Sequence, residues 1–242
     1  MDKKNRKLRI RDIIYIITTS LLVAGLGFSI AYLIINQHRE VSYYEQKVAS
    51  FNVQNANLSK GQIVFLGDSI TDLYPLDDYY ADLSKATYNR GIAGDTTQGV
   101  IDRLQTSVYD IAPSKVVLLI GINDINTFKS NDYIINNCET ILSSLKSHLP
   151  DTMVYPLSIT PQNKTIEQYA SWINVEKANA TAQELNIEIE KLANKYSYTY
   201  LDLYSQLVDS NNFLIENYSD DGIHLNSSGF TVWTNLVKPY LV

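Results

Sequence analysis

The chain has 242 residues, an apolar content of 45% and a formal net charge of −6, which suits one sizeable core plus an appendage. The charge is divided: residues 1–39 hold seven Lys/Arg against two Asp, while the remainder holds thirteen against twenty-four Asp/Glu, so the bulk of the chain offers no basic footprint for nucleic acid. A single cysteine, Cys138, excludes an intramolecular disulfide, and its place in Asn137-Cys138-Glu139-Thr140-Ile141-Leu142 reads as buried apolar packing.

Residues 1–12 form a basic tail. Residues 13–35 then contain no Asp, Glu, Lys or Arg. At about 1.5 Å per residue this run spans roughly 34 Å, enough for a hydrocarbon core of about 30 Å. Lys3, Lys4, Arg6, Lys7, Arg9 and Arg11 precede it, and only Arg39 and Lys47 follow closely. That asymmetry predicts a single-pass transmembrane anchor with its N-terminus in the cytoplasm and the rest outside. A cleaved signal peptide is the rival. Its apolar region is usually about 7–15 residues and ends in small residues, which Ile34-Ile35-Asn36-Gln37-His38-Arg39 does not supply. No cysteine near the span could take a lipid.

Residues 36–60 are polar with a weak helical pattern and read as a stalk, leaving residues 61–242 as the main domain. There the pattern alternates. Ile63-Val64-Phe65-Leu66 is a short apolar run ending in Gly67, as a buried parallel strand would. Thr87-Tyr88-Asn89 is a weaker second strand, and residues 97–110 have helical spacing through Val100, Ile101, Leu104 and Val108. The third strand, residues 115–120, again ends in a glycine. Residues 131–148 are helical and Pro150 follows. Residues 153–157 form a fourth strand, residues 167–195 a long helix, residues 198–203 a fifth strand and residues 227–241 the last helix. Strands alternating with helices predict an α/β fold with a central, mostly parallel sheet and helices on both faces. Sites in such sheets lie beyond the carboxyl ends of the strands. The clusters Gly67-Asp68-Ser69, Gly94-Asp95-Thr96 and Gly121-Ile122-Asn123-Asp124 each follow a strand and should converge there.

A serine hydroxyl attacks an acyl carbon only when a base takes its proton. Of three histidines, His38 lies beside the apolar span and His148 at the end of a helix. His224, in the loop Ser219-Asp220-Asp221-Gly222-Ile223-His224, is the candidate base. Asp221, three residues earlier, can accept from Nδ1 and fix the ring, with Asp220 as its neighbouring rival. An oxyanion needs donors, and the amides of Ser69 and Gly94 with the side chain of Asn123 suit that role. Asp68, Asp95 and Asp124 read as hydrogen-bond acceptors that fix loops. Gly91 reads as a turn residue, and Trp172 and Trp233 as buried helix packing.

Four blocks in order carry a resemblance. Gly67-Asp68-Ser69-Ile70, the segment Asn89-Arg90-Gly91-Ile92-Ala93-Gly94-Asp95-Thr96, Gly121-Ile122-Asn123-Asp124 and Asp221-Gly222-Ile223-His224 together resemble the SGNH, or GDSL-type, hydrolases over residues 61–242. Each block alone is weak, and Ser69 by itself reads equally as a helix N-cap. The resemblance implies a three-layer α/β/α sandwich, a Ser69-His224-Asp221 triad, an oxyanion hole of Ser69, Gly94 and Asn123, and neither cofactor nor metal. The second and last blocks look most like the branch of platelet-activating-factor acetylhydrolase-like and carbohydrate acetylesterases.

The expectation is therefore a membrane-anchored serine esterase outside a Gram-positive-type cell. It would remove short acyl groups, acetyl foremost, from surface glycan. A lysophospholipid or short-chain lipid ester is the alternative substrate, a thioester another. A surface module with an idle site is the alternative of another class. No G-x-S-x-G elbow, H-E-x-x-H pair, P-loop or G-x-G-x-x-G is present. Five Asn-x-Ser/Thr sites occur, at Asn57, Asn163, Asn179, Asn217 and Asn226.

Overall fold

The computed structural model describes residues 18–22, 25–27 and 41–242. They fall into two units, Met1–Ser42 and Tyr43–Val242. In the first, residues 18–22 and 25–27 are helical, and Leu21, Leu22 and Leu26 are exposed. The basic tail at 1–12 and most of the anchor expected over 13–35 lie outside the described residues. Among those described, no helix is long and apolar enough to cross a membrane.

The second unit is built on four parallel strands, β1 (Ile63–Gly67), β2 (Thr87–Gly91), β3 (Lys115–Leu119) and β4 (Met153–Pro156), in the order β2-β1-β3-β4. β1 and β3 are buried at every residue, which explains why β1, and β3 after Lys115, read as continuous apolar runs and not alternating ones. The helices are α1 (Tyr43–Asn55), α2 (Ser69–Asp72), α3 (Leu76–Tyr80), α4 (Thr97–Asp102), α5 (Leu104–Ser107), α6 (Ile122–Asn126), α7 (Asn131–His148), α8 (Val175–Lys195), α9 (Tyr204–Leu207) and α10 (Ser227–Val237). Side chains of successive strand residues point to opposite faces. Phe65 meets Trp233 of α10 and Tyr74. On the other face Leu118 borders Cys138 and Leu142 of α7 and Ile189 of α8. The sheet is thus covered on both sides by helix, as expected.

Several expectations need correction. The stalk read over 36–60 ends early. From Tyr43 the chain is helix α1 and part of the second unit, with Phe51 only 2% exposed. The helix expected over 97–110 breaks at Arg103, whose φ of −114° leaves helical geometry while its guanidinium turns into the core. The fifth strand, expected over 198–203, is reduced to one bridge, Leu157 with Leu201. Thr199 and Leu201 still donate to Val154 and Pro156, but the chain turns at once into α9, whose first amide is taken by the hydroxyl of Ser158 at 2.6 Å. Trp172 is 63% exposed, because it lies in the irregular stretch before Asn174 caps α8, whereas Trp233 and Cys138 are buried.

The register positions the site. Gly67 lies beside Gly91 on one side and Leu119 on the other, so β1, β2 and β3 end level. The segments that follow them leave from one edge. Gly91 ends β2 at a close approach: a Cβ there would lie 2.1 Å from the amide nitrogen of Asp72, which demands glycine. Its role is close packing at a strand end, where a turn residue was expected.

Candidate active site

Ser69 opens α2 immediately beyond β1. Asp68 caps this helix, its Oδ1 accepting from the amide of Ile70 at 3.0 Å. Such a cap holds the first turn against the strand end and fixes where the serine points. Ser69 is 8% exposed, and its Oγ lies 2.9 Å from Nε2 of His224.

His224 arrives from 155 residues away in sequence, on the loop before α10. Its Nδ1 is 2.6 Å from Oδ2 of Asp221. The other oxygen of Asp221 accepts from the amides of Ile223 at 3.0 Å and His224 at 2.8 Å. Ser219 supports the loop, donating to Asp221 and accepting from the amide of Gly222. Burial raises the Asp221 carboxyl, but the hydrogen bonds from His224 and from the two amides outweigh it and leave it below the usual carboxylate range. Asp220, the rival, instead accepts from Asn226. His148 stacks on Tyr109 and bonds the carbonyl of Ser144, and His38 lies outside the described residues.

The segment after β2 carries Gly94, whose φ of +78° suits a residue without a side chain. Neither its amide nor that of Ser69 is paired with an acceptor among the described residues. Asn123, on α6 beyond β3, donates from Nδ2 to the carbonyl of Asp95 at 2.8 Å; a side-chain amide holds two N–H groups, so one remains for a ligand. The structure therefore brings Ser69, His224 and Asp221 into one hydrogen-bonded line and ties Asn123 to the residue after Gly94.

The acidic neighbours fix loops, as their sequence positions suggest. Asp95 takes the Arg103 guanidinium at 2.8 Å and the amide of Thr96. Asp124 takes both the amide and hydroxyl of Thr97. Arg103 has no counterpart in the sequence reading. Fully buried, it also donates to the carbonyls of Gly67 and Arg90, clasping the ends of β1 and β2. An arginine on a helical pattern ordinarily faces solvent, so nothing in the sequence marked it. Beyond Asn123, α6 leads to a cavity of about 240 Å³ lined by Ile125, Asn126, Phe128, Lys129, Ile173 and Lys177. Among the described residues no group of three His, Cys, Asp or Glu side chains is placed to hold a metal ion. Of the Asn-x-Ser/Thr sites, Asn179 is buried and Asn226 caps α10.

Residues 65–232 match the model of the GDSL-like Lipase/Acylhydrolase family. The chain is 25% identical over 174 residues to the platelet-activating factor acetylhydrolase IB subunit alpha2 of Rattus norvegicus, covering 69% of this chain and 70% of that one. Among solved structures, one from Streptococcus pneumonia whose description names platelet activating factor has a TM-score of 0.76 at 28% identity, over 90% of this chain and 99% of that chain. A GDSL-like lipase from Bacteroides thetaiotaomicron (TM-score 0.72, 22% identity, 83% and 98% covered) shares the fold. So does an acetylxylan esterase from Geobacillus stearothermophilus (TM-score 0.60, 16% identity, 76% and 95% covered).

Proposed function

The chain belongs to the GDSL-like lipase/acylhydrolase family, and on that premise we propose that it is a serine esterase acting through Ser69, His224 and Asp221. The observation that carries this is the line from Ser69 Oγ to His224 Nε2 at 2.9 Å and from His224 Nδ1 to Asp221 Oδ2 at 2.6 Å. In the reaction, Ser69 Oγ bonds to the ester carbonyl carbon while Nε2 takes its proton. Asp221 holds the ring and stabilises the imidazolium that forms. The amides of Ser69 and Gly94 and the free N–H of Asn123 receive the oxyanion. His224 then gives its proton to the leaving alcohol, and water, activated by the same imidazole, releases the acid.

Replacing Ser69 with Ala is expected to abolish turnover of p-nitrophenyl acetate, and wild-type rates in that variant would end the assignment. Fluorophosphonate labelling separates the enzyme from a surface module with an idle site: failure of a folded sample to label at Ser69 favours the module.

For the substrate we propose a short acyl ester, acetyl foremost, on cell-surface glycan. The fold shared with an acetylxylan esterase supports it. So does the cavity beyond Asn123, which offers an amide and an exposed aromatic ring, Phe128, to a sugar. The platelet-activating factor acetylhydrolase relative favours a second reading, a short-chain lipid ester. A series of acyl chain lengths decides between them, since preference for eight or more carbons would sink the acetyl reading. We further propose that residues 13–35 anchor the enzyme in the cell membrane, with residues 43–242 outside.

A further inference from the structure

Asp72 touches none of the reacting groups, yet three donors converge on its carboxylate. From α1, Tyr43 donates its phenol to Oδ2 and Lys47 its ammonium to Oδ1, each at 2.7 Å. The third donor is the amide of Ala93, 3.0 Å from Oδ2. Ala93 immediately precedes Gly94, and Asp72 itself closes α2, the helix that Ser69 opens. The Asp72 side chain is 11% exposed. Asn89 holds the same turn from β2, donating to the carbonyls of Thr71 and Tyr74 and accepting from the amide of Gly91.

The segment between β2 and α4 is fastened at its far end from the core side. There Arg103 grips the carboxylate of Asp95 and Asn123 grips its carbonyl. Ala93 and Gly94 themselves are exposed, so packing does not hold them. They form the middle of a turn closed by the Asp95 amide on the carbonyl of Ile92 at 3.1 Å, and the bond to Asp72 holds the Ile92–Ala93 peptide at the head of that turn. A carboxylate paired on both oxygens cannot swing away from that bond. Lys47 also balances a negative charge that would otherwise oppose an oxyanion nearby.

We propose that Asp72, clamped by Tyr43 and Lys47, is a positioning residue that anchors the head of the Ile92–Asp95 turn and so sets the Gly94 amide for oxyanion binding, which makes α1 a working part of the enzyme. This rests on the serine-esterase reading above. A donor held out of place acts late in the reaction and not in substrate binding, so its loss falls on kcat and spares KM.

The test uses the full chain, with p-nitrophenyl acetate as substrate and fluorophosphonate titration to count active Ser69. Asp72→Ala is expected to lower kcat about tenfold and the double variant Tyr43→Phe/Lys47→Met about threefold, with KM within about twofold of wild type. Asp72→Asn, which keeps an acceptor for Ala93, should recover most of the rate. Affinity for a trifluoromethyl ketone, whose adduct carries an oxyanion, should fall in step with kcat. The double variant alters only partly exposed groups and serves where Asp72→Ala does not fold. An unchanged kcat per titrated serine, with only a lower melting temperature, overturns the proposal. So does a loss confined to KM. A wild-type protein that neither labels nor turns over ester overturns the esterase reading itself, and this inference with it.

Discussion

Asp221 divides its two oxygens between two tasks: one faces His224, and the other holds the amides of Ile223 and His224. Asp221→Asn would keep the shape of the loop but present an N–H or a neutral oxygen to Nδ1, which disturbs the tautomer. The expected outcome is a fall in kcat on the order of 10³–10⁴-fold with little change in KM, measured by steady-state hydrolysis of p-nitrophenyl acetate. Asp68 poses a different problem. Its carboxyl is fully buried, and Oδ2 has no partner among the described residues. Burial above all, with repulsion from Asp95 and Asp124, pushes it up to about 7 against the pull of the Ile70 amide and Arg103. Unfolded, the group titrates at about 3.9. A raised carboxyl holds its proton more tightly in the folded chain, so its stabilising contribution is full below about pH 4 and lost as pH rises through about 7. Asp68→Asn has no charge to acquire. Relative to wild type it should gain in urea midpoint between about pH 5 and about pH 8, and a difference constant across that range would show that Asp68 does not titrate there. Ser69, Asn123 and Asp221 were legible because each lies beside a glycine or just past a strand end, and His224 because it is the one histidine in a glycine-containing loop. Arg103 and Asp72 were not, since a charged residue on a helical pattern looks the same in one sequence whether it faces solvent or turns inward.

Among the elements, the sheet was legible and α1 was not. β1 and, after Lys115, β3 are apolar runs because both of their faces are covered, and that continuity survives in sequence. α1 presents one buried apolar residue, Phe51, and no stripe. It is held instead by polar contacts whose partners lie far along the chain. Arg90 stacks over the Phe51 ring at 4.4 Å and donates to Gln54 and Asn55, and the Tyr44 phenol donates to the carbonyl of Gly99. A helix fastened this way carries no amphipathic period and resembles a solvated spacer. The fifth strand erred the other way: Tyr198 and Leu201 are buried, but their burial serves a passing segment with one bridge. Phe51→Ala should remove the single apolar anchor of α1 and cost about 3 kcal/mol, as buried phenylalanines do. Urea unfolding at constant slope reads it. A loss under about 1 kcal/mol would mean that the polar contacts alone hold the helix.

For the molecule as a whole, every residue of the proposed catalytic site lies within Tyr43–Val242, and the remaining question is where that unit works. The charge division bears on it directly. Six basic residues stand before the uncharged run at 13–35, and beyond Arg39 acids outnumber bases nearly two to one. Cytoplasmic flanks keep their lysines and arginines because translocating them is unfavourable, so under the proposed anchor the acidic unit would face outward. The run is also longer than the apolar core of a cleaved leader. In bacterial cells the full chain is expected to sediment with membranes, resist extraction by sodium carbonate and dissolve in detergent. Protease added to wall-free cells should digest the unit from Tyr43 onward while sparing a short basic fragment. The rival makes a different population: a chain free in the medium whose first residue lies near the end of the apolar run. N-terminal sequencing of the secreted and membrane fractions distinguishes the two, and a secreted species as the main product would replace the anchor with a leader. That outcome would also weaken the lipid-ester reading, because the site would no longer be held beside lipid. It would leave the glycan reading intact, because a released esterase still meets the polysaccharide of the cell surface.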